Sequence, residues 1–423
     1  MKILYNVINI RIFPGPHPRA GRKEDPMANK KTEKKWMRRR HAVVRDLAAL
    51  ILIPITRLLY HVKVERFKDQ GDRPYLILLN HQTTFDPFFV GMTFRGPIYY
   101  MATEDIFSLG FLSKLLRWAI APIPIKKQTT DISAVMTCIR LAREGGTIAL
   151  APEGNRTYHG RTVYMNPAIA KMARKMKLPI ALFRIEDGYG IQPRWADGTR
   201  KGTMTARVSR VIELEEYSAM TDEALMELIR NELHVDEAKV TGEFDCKARA
   251  QFLERAVYTC PHCGFSKFES QGHEIRCLTC GRKAVYNKDK TMEGDFPFRF
   301  VADWYDWQEE FVNKYDPMAH VEEPIFRDTA EVRKVILYSH KELIRKRMPL
   351  ELYGDRIVMG DTTLHFDDVT AATCLGRNKL NIYHGEDVFQ FKGDERFNAL
   401  KYMNLYFRYR NITRGENDTF LGM

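Results

Sequence analysis

At 423 residues the chain is too long for one ordinary domain, and two or three are expected. Its 44% hydrophobic content is enough to build real cores. The formal net charge of +12 calls for an anionic partner: nucleic acid, acidic lipid or a phosphorylated substrate. No run of about twenty uninterrupted apolar residues exists, so a clear transmembrane helix is excluded. Four of the seven cysteines stand in two Cys-x-x-Cys pairs, which excludes a disulfide framework and reads as an intracellular chain with one metal site.

In chain order, the first segment has a short apolar run broken by Asn6, Asn9 and Arg11, followed by Pro14, Pro16 and Pro18. It lacks the basic start, long apolar core and cleavage site of a signal peptide. Met27 is the expected biological start, and residues 1–40 are expected to form a basic, disordered N-terminus. Lys30 to Arg45 is densely basic and leads into Leu47–Tyr60, which Pro54 and Arg57 interrupt. The proline is expected to break a straight helix. A basic flank beside an apolar helix suits a membrane interface, where each Lys or Arg near anionic lipid adds about 1 kcal/mol. The same pattern also fits a helical hairpin packed on the domain.

From Val62 to about Val235 strands alternate with helices, as in an α/β sheet with its sites at strand ends. Strands are expected at Tyr75–Leu79, Ile98–Met101, Thr147–Ala151, Ile180–Ile185 and Ala206–Ile212. Helices are expected at Ile106–Ile120, Ile132–Glu144, Asn166–Lys175 and Asp222–Leu233. The first strand delivers Asn80 and His81, with Asp86 five residues on. Asn80 is a candidate cap for a helix starting at His81. The spacing lets Asp86 reach back to one imidazole nitrogen and leave the other free for a proton. No serine or cysteine lies in this stretch, which favours a general base acting on an outside hydroxyl. A capped helix with a purely structural His–Asp pair fits the spacing equally well.

A second strand ends in Pro152, Glu153, Gly154, Asn155, Arg156 and Thr157. NHQTTFD followed by PEGNRT resembles the glycerolipid acyltransferase family, typified by 1-acylglycerol-3-phosphate acyltransferases. Met101–Leu112 and Ala121–Lys127 resemble two further family segments, with Thr103 and Lys127 departing from the usual lysine and arginine. The resemblance covers roughly residues 40 to 240 and implies an acyltransferase domain over 41–245. It further implies that His81 deprotonates a lysophospholipid hydroxyl as it attacks an acyl thioester, carried by acyl-CoA or acyl carrier protein, while Asp86 orients His81. The product would be phosphatidic acid. Other lysophospholipids, glycerol 3-phosphate, or a membrane-docking scaffold with a residual fold are the alternatives. Arg156 offers a bidentate fork for the acceptor phosphate, and Lys126 and Lys127 offer point charges. Gly154 permits close backbone approach, and Glu153 is expected to hold Arg156 or an acceptor hydroxyl. Amides near Asn80–Thr83 are candidate oxyanion donors. An anionic membrane surface is the expected partner, with the enzyme at its cytoplasmic face.

Residues 256–292 change character. Cys260-x2-Cys263 and Cys277-x2-Cys280, thirteen residues apart, read as two knuckles on one structural Zn²⁺. Four thiolates close the site, so it has no catalytic position, and a fold staple is expected rather than a nucleic-acid reader. An aromatic segment, Phe296–Tyr315, is followed by charged sequence expected to be helical to about Arg347. Residues 330–412 resemble a pleckstrin-homology-like domain, mainly β and closed by a helix from about Glu395.

Overall fold

The computed structural model describes residues 35–125, 131–337 and 339–415. The expected basic N-terminus therefore lies almost wholly outside the described residues. A first sheet is built from β1 (Val62–Val64), β2 (Leu76–Leu79), β3 (Ile98–Thr103), β4 (Ile123–Ile125), β5 (Thr147–Leu150), β6 (Ile180–Glu186) and β7 (Met204–Ile212), in the order β1-β7-β6-β2-β5-β3-β4. β6, β2, β5, β3 and β4 run parallel, and β7 is antiparallel to β6. β2 and β5 are near-continuous apolar runs because both faces of the sheet are covered. Leu76 and Leu78 enter one core with helices Ile132–Arg143 and Ala168–Met176, while Ile77 and Leu79 enter another with helix Asp86–Thr93. Side-chain caps start two of the flanking helices: Asp131 accepts from the Ala134 amide and Thr221 from that of Ala224.

Two expectations change here. Helix Arg39–Tyr60 continues unbroken through Pro54, which is exposed, as is Leu50, whose carbonyl loses its amide partner, so water takes up the lost hydrogen bond. The single helix expected at Ile106–Ile120 is two, Glu104–Phe107 and Phe111–Ala119, divided at Gly110, whose φ of +63° no helix accommodates. Among the described residues no helix is long and apolar enough to cross a membrane.

Beyond residue 250, β8 (Thr259–Cys260) pairs with β9 (Gly264–Phe265). Next, β10 (Phe268–Gln271), β11 (Glu274–Cys277), β12 (Lys283–Tyr286) and β13 (Met292–Gly294) form an antiparallel sheet. Helix Val301–Lys314 seats Trp304 against Phe268, Phe296 and Phe298. The charged sequence after it is not helical. It forms the two longest strands among the described residues, β14 (Phe326–Ile336) and β15 (His340–Leu352). Ala330, Val332 and Val335 are buried while the charged residues of β14 keep partial access to water, so charge content concealed the strand pattern. With β16 (Arg356–Met359), β17 (Thr362–His365), β18 (Val369–Leu375), β19 (Lys379–His384) and β20 (Asp387–Gly393) they make an antiparallel sheet, ordered β17-β16-β15-β14-β20-β19-β18. Helix Leu400–Thr413 buries Leu400, Met403 and Tyr406 in its core. That core is continuous with Tyr158 and Trp195, so the later sheets rest on the loops that follow β5 and β6.

Candidate active site

His81 and Glu153 lie just beyond the C-terminal ends of the adjacent parallel strands β2 and β5. This is the position where open α/β sheets gather their ligands. The predicted helix at His81 is absent. Helix formation waits until Asp86, whose neighbour Pro87 suits a first turn. Asn80 therefore caps nothing. Its fully buried amide donates to the Ile185 carbonyl and accepts from the Ile185 N–H, both at 2.8 Å, fastening the end of β2 to β6.

Asp86 is fully buried and reaches back over the turn before its helix. Its Oδ2 lies 2.8 Å from His81 Nδ1 and also accepts from the Gln82 amide at 2.7 Å. Oδ1 accepts from the Thr83 amide at 2.9 Å and the Thr83 hydroxyl at 2.6 Å. A carboxylate held by this many donors can only accept, so His81 carries its proton on Nδ1 and its lone pair on Nε2. The His81 side chain is 27% exposed, and its Nε2 has no hydrogen-bond partner among the described residues. Both neighbouring hydroxyls are committed, Thr83 to Asp86 and Thr84 to Gln192 at 2.6 Å. The amides of His81, Gln82 and Thr83 are also committed, to Glu153 and Asp86, which removes them as oxyanion donors.

Glu153 does not hold Arg156. One of its oxygens accepts from the His81 amide at 2.8 Å and the other from the Val163 amide at 3.0 Å. It thus ties the two sequence blocks together through the backbone. Burial pushes its carboxyl up to about 8, against the pull of those two amides. Gly154 has φ +68° and open space where a Cβ would sit, so the turn itself requires the glycine.

Arg156 is buried, yet among the described residues its guanidinium has a single long contact, 3.5 Å to Gln192 Oε1. Burial, reinforced by the neighbouring Arg194, lowers it to about 10. Gln192 also accepts from the Thr84 amide at 2.9 Å, so it links the histidine turn to Arg156. Arg194 is well engaged by contrast, each of its three nitrogens donating to a carbonyl, of Arg156, Cys374 or Gly376, and its guanidinium lying over Tyr158. Gln192 and Arg194 follow β6 with no local motif, and no sequence signal marks them. Lys126 and Lys127 lie outside the described residues.

Away from this site, the sulfurs of Cys260, Cys263, Cys277 and Cys280 all lie within 4.8 Å of one another. Cys260 and Cys280 are 3.9 Å apart, far beyond disulfide length. Thiolates about 2.3 Å from a tetrahedral zinc stand roughly 3.8 Å apart, so the donor set and its spacing fit that ion. Gly264 and Gly281, at φ +72° and +76°, turn the two knuckles. Neither His262 nor His273 belongs to the cluster.

A largely parallel sheet here holds an oriented, part-exposed histidine just beyond its strand ends, with Nε2 open to a proton-bearing ligand. Residues 60–185, which hold both blocks, match the family model described as Acyltransferase, and the chain carries an acyltransferase domain there. Among solved structures the chain is similar to the 1-acyl-sn-glycerophosphate (LPA) acyltransferase PlsC from Thermotoga maritima. The identity is 18% and the TM-score 0.39, over 46% of this chain and 79% of that one. No curated protein matches the chain.

Proposed function

We propose that this acyltransferase moves a fatty acyl group from a thioester, acyl-CoA or acyl carrier protein, to the free hydroxyl of 1-acylglycerol 3-phosphate, giving phosphatidic acid. The observation that carries the reading is the His81–Asp86 pair, 2.8 Å apart, with Nε2 unpartnered among the described residues and no free hydroxyl or thiol beside it in sequence. His81 Nε2 takes the proton of the acceptor hydroxyl as its oxygen bonds to the thioester carbonyl carbon. The tetrahedral adduct collapses, the carbon–sulfur bond breaks, and the imidazolium returns its proton to the departing thiolate. Asp86 stabilises the imidazolium in between. Base catalysis of this kind contributes about 10²–10⁴-fold.

The acceptor phosphate is matched to Arg156, a buried guanidinium with donors to spare. The four-cysteine cluster is read as holding one structural Zn²⁺, which would supply fold stability and no chemistry. The exposed apolar face of helix Arg39–Tyr60, with Leu47, Leu50 and Leu58, supports work at a membrane surface, which we assign to its cytoplasmic face. The test is a panel of acyl-CoA and acyl carrier protein donors against lysophosphatidate, other lysophospholipids and glycerol 3-phosphate, read by mass spectrometry. Phosphatidic acid as the dominant product supports the reading. Preference for an acceptor without a phosphomonoester overturns it.

A further inference from the structure

Two elements far apart in sequence share one surface pattern and line one cavity. Helix Phe111–Ala119 leaves Phe111 81% exposed, together with Leu112, Leu115 and Trp118, and carries Lys114 and Arg117 among them. On the other side, β15 exposes Leu343 and Ile344 within the run Lys341, Arg345, Lys346 and Arg347, against one acid, Glu342. A cavity of about 270 Å³ lies between them, lined by Gly110, Phe111, Lys114, Arg117, Ser339 and His340. Helix Arg39–Tyr60 continues the same face, since Arg40 donates to the Trp118 carbonyl and lies over its ring.

The β15 segment has no strand on its outer side among the described residues, because β16 pairs only with Leu350, Glu351 and Leu352. Register shifts opposite Val332 leave Ile344 unpaired, a bulge that re-aims its side chain outward. Basic residues alone would be ordinary protection of a free sheet edge. Exposed leucine and isoleucine work against such protection. Their pairing with the same apolar-plus-basic composition across the cavity argues for a partner that is apolar, anionic and wide enough to touch both elements.

We propose that the β14–β15 hairpin is a second membrane contact of the enzyme, laid on an anionic bilayer beside helix Phe111–Ala119, with the basic cavity between them seating a lipid phosphate. This extends the membrane reading above from the N-terminal helix to the last sheet, and rests on it. The hairpin then fixes how the acyltransferase domain faces the lipid, because both elements must touch the surface together.

The full chain is tested by flotation on phosphatidylcholine vesicles and on equimolar phosphatidylcholine–phosphatidylglycerol vesicles. Lys346→Ala with Arg347→Ala should weaken binding to the anionic vesicles roughly twenty-fivefold, at about fivefold per basic residue. Leu343→Asp with Ile344→Asp should weaken binding to both vesicle types. Both variants should keep the wild-type circular dichroism and wild-type transfer to a detergent-solubilised acceptor, which separates this proposal from failure of the catalytic reading. Wild-type binding of either variant to anionic vesicles overturns the proposal. So does wild-type protein that binds both vesicle types equally, or an anionic peptide that binds the hairpin more tightly than the vesicles do.

Discussion

Buried cations are treated differently in the two parts of the molecule. Against the last sheet, Lys401 of helix Leu400–Thr413 meets Asp328 of β14 at 2.6 Å, and the Tyr402 hydroxyl donates to the same carboxylate at 2.7 Å. At the seam, Lys290 lies against Glu237 and Asp187, and Arg194 satisfies three carbonyls. Beyond β2 and β5, Arg156 is buried like these yet has one long contact among the described residues, and Gln82, fully buried, has no partner among them for either side-chain atom. A buried charge without a partner is costly. The buried lysines of the later region face carboxylates, whereas the strand-end site leaves a buried guanidinium with donors open to a ligand.

The largest effect that sharpens this contrast falls on the later region. Changing Cys260 and Cys277 together to serine should abolish zinc binding, which in such sites carries about 10–16 kcal/mol of folding energy. Hydrogen exchange should then open residues 256–294 while β2 and β5 stay protected, and native protein should contain one zinc per chain by metal analysis. Absence of zinc from native protein would count against the site.

Asp86→Asn comes next. Either carboxylate oxygen, once replaced by an amide nitrogen, faces a donor from Thr83 or from His81 and Gln82. The change should lower the turnover number by about a hundredfold or more and also lower the melting temperature, since each buried donor left unmet costs about 1–3 kcal/mol. Arg156→Lys keeps the charge but loses the fork. The specificity constant for lysophosphatidate should fall roughly tenfold to a hundredfold, with an acceptor lacking phosphate largely spared. An equal loss on both acceptors would mean that Arg156 organises the site without reading the phosphate.

The smallest effect is on pH dependence. Burial, with Asp306 nearby, raises the Glu309 carboxyl from 4.5 to about 7. A raised carboxyl contributes fully below its unfolded value, and that contribution is lost as pH rises through the folded one. Glu309→Gln escapes the loss. It should therefore melt roughly 2 °C above wild type at pH 8 and match it below pH 4.5.

Much of this was legible because some residues carry their context locally. β2 and β5 announce themselves as apolar runs, the His81–Asp86 pair spans only five residues, and the cysteine knuckles need only their own glycines. Asn80, Glu153 and Gln192 were not legible in the same way. Their partners, Ile185, His81 and Thr84, are brought to them only when the sheet closes. β14 and β15 were missed because their charged residues face water along much of both strands. The hairpin also departs from strict alternation at its bulges.

The central claim is that His81 is the base for an outside hydroxyl. It is tested by following thiol release from acyl-CoA, with and without lysophosphatidate, for wild type and His81→Ala. Release should require the acceptor and fall by about 10²–10⁴-fold in His81→Ala, with zinc content and melting temperature kept. Near wild-type release by His81→Ala would contradict it.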